Sequence, residues 1–94
     1  KKDANRAVQY YIMGAQKGDA RSQAFLGKAY ALGRGIQQNN EKALQWYTEA
    51  AQNGNLNAMK ELSRIYSIGL LGVQKNETES QRWLDMAEKA EKKQ

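Results

Sequence analysis

Ninety-four residues suit one small domain or one piece of an array, and they carry 15 Lys and Arg against 10 Asp and Glu for a formal charge of +5. With 40% hydrophobic and 27% charged residues the composition is that of an ordinary globular chain, and disorder is excluded. The absence of Cys and His removes disulfides, thiolate metal sites, the cysteine nucleophile and the commonest general base, so no metal or cofactor is expected. No run approaches the roughly 18 apolar residues of a membrane span, and membrane insertion is not expected. The start, Lys1-Lys2-Asp3, reads as a piece of a longer chain, left by a removed leader or by excised neighbours.

Small and apolar residues recur throughout at helical spacing, and the punctuation divides them into five helices. The first is predicted near 4–17, opened by Asp3 and stopped by Gly18. The second runs near 20–32 and ends at Gly33, where a glycine takes the left-handed conformation that closes a helix. The third, near 40–53, is opened by Asn39 and stopped by Gly54. The fourth covers 56–68 before Gly69, and the fifth covers 77–92 behind Asn76. Asn76 and Glu79 have the spacing of a capping box, and this explains the Asn76-Glu77-Thr78 triplet better than its match to the N-glycosylation pattern.

These helices form a repeat. Gly18 and Gly54, Leu26 and Leu62, Tyr30 and Tyr66, and Gly33 and Gly69 are each 36 residues apart. Beyond them the offset is 37, pairing Gly35 with Gly72, Asn39 with Asn76, Trp46 with Trp83 and Ala50 with Ala87, so one residue has been inserted within Leu70-Leu71. Read backwards at 36, Ala7 falls on Ala43 and Tyr10-Tyr11 on Trp46-Tyr47. The chain therefore divides into a half repeat at 1–17, repeats at 18–53 and 54–90, and a charged tail at 91–94, together one domain. A two-helix unit cannot cover its own apolar face, so such units stack. Trp46, Trp83, Tyr30 and Tyr66 are expected as the large core residues, and Gly27, Ala43, Ala50 and Ala87 as the small ones that let helices approach. Open apolar faces are expected around Ala7, Tyr10 and Tyr11 at one end, and around Trp83, Leu84 and Ala87 at the other.

Gly18-Asp19-Ala20, Leu26-Gly27, Tyr30, Gly33-Arg34-Gly35-Ile36, Ala43, Trp46-Tyr47 and Ala50-Ala51 resemble the Sel-one-like repeat, a relative of the tetratricopeptide repeat. Ser63, Ser80, Leu84 and the inserted turn residue depart from that pattern. The resemblance implies an all-α, right-handed α-α superhelix, a solenoid of antiparallel helix pairs that serves as an adaptor or scaffold. It further implies a bacterial periplasmic or exported setting, or the endoplasmic reticulum in eukaryotes.

Where the second and fourth helices differ, the differing residues share a face, which is expected to line a groove. The contact candidates there are Arg21, Phe25, Lys28, Lys60, Glu61 and Arg64, with Phe25 as an aromatic anchor beside basic residues for a segment bearing acids. Phe25 packing on the first helix is the alternative, as is simple drift of a solvated face. The expected partner is thus another protein or peptide, with the chain a monomer or weakly self-associating end to end. Regulation or inhibition of a cell-envelope enzyme or toxin is a second reading. Nucleic-acid or anionic-surface binding is a third, disfavoured because the bases are not clustered and the aromatics sit at repeat positions. Gly33-Arg34-Gly35 lacks the Gly-Lys-Ser/Thr of a phosphate loop, and Glu77, Glu79, Asp85, Glu88 and Glu91 read as helix-end and solvated charges, not as an acid and base pair.

Overall fold

The computed structural model describes residues 4–93, and within them lie five helices: α1 (Ala4–Gln16), α2 (Ala20–Leu32), α3 (Asn40–Gln52), α4 (Leu56–Ile68) and α5 (Glu77–Lys93). Each packs chiefly on its neighbours in sequence, α1 on α2, α2 on α3, α3 on α4 and α4 on α5. The result is an all-α solenoid, a flattened body of 38 × 30 × 21 Å.

Two turn designs alternate along the stack, and each is made twice by backbone groups 36 or 37 residues apart. The tight turns close when the N–H of Asp19 donates to the Gly14 carbonyl and that of Asn55 to the Ala50 carbonyl, at 3.0 and 2.9 Å. Gly18 and Gly54, at φ of 89° and 95°, allow the reversal. In the long turns the N–H of Asn39 donates to the Tyr30 carbonyl and that of Asn76 to the Tyr66 carbonyl, at 3.0 and 2.8 Å. The second long turn reaches the same acceptor with one residue more. It absorbs the extra residue by holding Leu71 at φ 54°, a left-handed conformation that costs a leucine about 1–2 kcal/mol.

Asn39 and Asn76 cap α3 and α5 as expected, accepting from the N–H groups of Lys42 and Glu79, each at 3.0 Å. The reciprocal half of the capping box is not made. The Asn76 N–H is committed to Tyr66, and the Glu79 carboxylate turns to Arg82 at 3.7 Å. Asp19 and Asn55 are two further caps, on α2 and α4, that the glycine-based boundaries had left in the turns. Asp3, the expected cap of α1, lies outside the described residues.

The core forms two clusters, one around Leu26, Val8, Ala15 and Ala29, and a larger one around Leu62, Ile65, Tyr47 and Trp83. Trp83 is buried at 3% exposure, whereas Trp46, Tyr30 and Tyr66 are only half buried. Trp46 packs over the first cluster, and Ala15, Gly18 and Trp46 border an open hollow. The largest fully buried side chains are instead Leu26, Leu62, Ile65 and Gln23. Gln23 has its polar ends satisfied, donating to the Ala15 carbonyl at 3.1 Å and accepting from the Asn53 amide at 3.0 Å, and so ties α1 to α3 through α2.

At the ends, Tyr10 is 74% exposed and Ala7 and Tyr11 are half covered. Trp83 and Ala87 do not belong to an open face. They point into α4 of their own repeat and are buried, leaving only Leu84 of that expected set exposed, at 38%.

Candidate functional site

The groove is built from two helices whose starts are pinned in the same way. The Asp19 carboxylate accepts from the Ser22 hydroxyl at 2.6 Å and from the Ser22 N–H at 3.2 Å. The hydroxyl bond chiefly, then the N–H bond, with the Arg21 cation nearby, holds that carboxyl below the usual carboxylate range. Asn55 does the same for α4, accepting from the Ala58 N–H at 2.8 Å. With both starts fixed, residues three, four and seven apart fall on one face of each helix. Arg21, Phe25 and Lys28 come from α2, and Lys60, Glu61 and Arg64 from α4. All six line one open cavity of about 490 Å³.

The six side chains differ in what they already touch. Phe25 is 44% exposed, and its ring stacks on Tyr11 of α1 with centroids 5.0 Å apart, so it both faces the groove and packs on the first helix. Arg64 is engaged by Glu61 through Nη2 at 2.6 Å and Nε at 3.4 Å, and this pairing raises the guanidinium's affinity for its proton. Lys60 reaches across to Glu91 of α5 at 2.9 Å. Four cations therefore face one carboxylate in the lining, with part of that positive charge already answered.

Tyr47 of α3 borders the same cavity and was not among the expected contact residues, because its place beside Trp46 in the repeat pattern marked it as core. It belongs to the core and borders the cavity, at 7% exposure. Burial pushes its hydroxyl up to about 12, and the Glu61 charge adds to this. The signal for Tyr47 was its offset of three and four from Ala43, Ala50 and Ala51, which fixes a buried face but says nothing of what the third helix shows through the gap between the second and fourth.

The lining thus offers positive charge and an aromatic ring side by side, which is the chemistry that complements an anionic segment. Among the described residues no group of acidic side chains is placed to hold a metal ion, and no helix is long and apolar enough to cross a membrane.

No curated protein matches the sequence. Among solved structures the chain is similar to a Sel1 repeat protein from Oxalobacter formigenes, at 74% identity and a TM-score of 0.92, covering 96% of this chain and 37% of that one. It is also similar to a protective antigen present in uropathogenic Escherichia coli strains that displays an SLR fold, at 25% identity and a TM-score of 0.85, covering 93% of this chain and 18% of that one. The chain thus spans little more than a third of the first protein and less than a fifth of the second. Sel1 repeats match residues 1–19, 20–55 and 56–91, and the chain belongs to the Sel1 repeat family.

Proposed function

We propose that this chain is a protein-binding module that receives a segment of another protein in the groove between α2 and α4. The fold generally mediates protein–protein interaction, and proteins of this repeat are typically non-catalytic scaffolds. The observation that carries the placement is the convergence of Arg21, Phe25, Lys28, Lys60, Glu61 and Arg64 on one cavity, with Tyr47 beneath them. These positions differ between the repeats, whereas the repeated positions are those that build the turns and core. A scaffold holds its framework constant and varies the surface it presents.

A pull-down with three baits tests the placement: the unaltered chain, a groove variant combining Phe25→Ser, Lys28→Glu and Arg64→Glu, and an end variant combining Tyr10→Ser and Met13→Ser. The groove variant is expected to lose a specific partner that the end variant keeps. The reverse pattern would move the site to the open face of α1.

A further inference from the structure

The concave surface continues beyond the groove. A narrower cleft of about 190 Å³ opens between α1 and α2, walled by Val8, Tyr11, Ala29 and Leu32, and Phe25 and Lys28 line both it and the groove. It is smaller than the roughly 300–1,000 Å³ of small-molecule sites, and its size suits one bulky apolar side chain. Lys28 also lines a third hollow, of about 270 Å³, toward Leu70 and Leu71. It is thus the cation common to all three depressions.

The cations of the two walls are not equivalent. On α4, Arg64 is held by Glu61 and Lys60 by Glu91. On α2, Arg21 acts on Asp19 without forming an ion pair among the described residues, and Lys28 makes none there either. An incoming carboxylate that meets Arg64 exchanges one ion pair for another and gains little, whereas one that meets Lys28 forms a new pair outright. Phe25, one turn from Lys28, offers its exposed ring to whatever lies beside that carboxylate.

We propose that the α2 wall selects the partner: an acidic segment in which a bulky apolar residue neighbours a carboxylate, the carboxylate meeting Lys28 and the apolar side chain seated in the α1–α2 cleft against Phe25. This rests on the groove being the partner site. Charge complementarity names the occupant, and the paired state of the α4 cations says which wall reads it. The Glu61–Arg64 pair then acts as a brake, and removing the carboxylate frees a second cation for the segment.

The test is selection of a random displayed peptide library on the unaltered chain. Recovered peptides are then titrated by fluorescence anisotropy against Lys28→Gln, Lys28→Glu, Lys60→Gln and Glu61→Gln, all conservative of fold because the altered side chains are at least partly exposed. Expected are acidic peptides with an adjacent Leu, Met or Phe, weakened about tenfold or more by Lys28→Glu, weakened clearly more by Lys28→Gln than by Lys60→Gln, and tightened by Glu61→Gln. Acidic peptides that Lys28→Gln and Lys60→Gln weaken equally would overturn the α2-wall inference alone, as would weakening by Glu61→Gln. No enrichment, or peptides lost with Tyr10→Ser but indifferent to Lys28→Glu and Phe25→Ser, would overturn the groove reading itself. Concentration-dependent dimerisation in light scattering, abolished by Lys28→Glu, would make a second copy the occupant and overturn the proposal.

Discussion

A Cβ on Gly27 would sit 3.1 Å from Cγ of Tyr47 and 3.2 Å from the carbonyl oxygen of Ala43, tighter than an easy contact. One repeat later the same three places are Ser63, Ser80 and Leu84, and the two serine hydroxyls are hydrogen bonded at 3.1 Å. These three departures from the repeat pattern therefore go together: the ring is gone, and the two hydroxyls satisfy each other. Gly27→Ala should destabilise the chain by about 1–3 kcal/mol in urea titration, despite the better helix propensity of alanine, and by clearly less when Tyr47→Leu is present. Equal losses in the two backgrounds would show that Tyr47 is not what forbids the Cβ. Tyr47 also makes a pH prediction. Its hydroxyl is raised from 10.0 to about 12, so the neutral folded form is favoured; that contribution is complete below pH 10 and is lost as pH rises through 12. Ultraviolet titration should show a tyrosinate step near 12 that Tyr47→Phe removes. The glycines at turns were legible in the sequence because a positive φ is a local demand. Gly27 was legible as a small residue that lets helices approach, but its pairing with Tyr47 was not, since that contact joins different helices.

At the scale of the helices, starts and stops were readable because short polar caps and left-handed glycines act through backbone groups only a few residues away. Two caps, Asp19 and Asn55, went unread because each directly follows a glycine that already served as a boundary. Asn39→Ala should cost about 1 kcal/mol, measured by thermal unfolding, since it leaves the Lys42 N–H without its acceptor. The depth of burial was less legible. Trp46 and Trp83 hold equivalent places in the repeat, but the first borders an open hollow and the second is buried in the cluster that holds Leu62 and Ile65 of α4. Trp83→Ala should therefore cost about 3–5 kcal/mol and Trp46→Ala distinctly less. If the two losses match, the half-covered placement of Trp46 is wrong. Phe25→Ser should cost about 0.5–1.5 kcal/mol through its stack on Tyr11, and an unchanged melting temperature would show that stack to be absent in solution.

Across the whole molecule the period of 36, the single insertion and the half repeat at the start foretold the order of elements and the stacking. The groove face followed from comparing α2 with α4, because residues that differ between repeats are those the framework does not need. What could not be read was which cations are already answered, since Lys60 meets Glu91 from a helix that the repeat logic places behind α4. On the proposed reading the groove between α2 and α4 takes the partner. Nuclear magnetic resonance shift mapping, with an acidic peptide recovered from the library, tests it most directly. Shifts should concentrate at Arg21, Phe25, Lys28 and Tyr47 and fade at high salt; shifts gathered instead at Tyr10, Met13 or Leu84, with the groove unmoved, would contradict it.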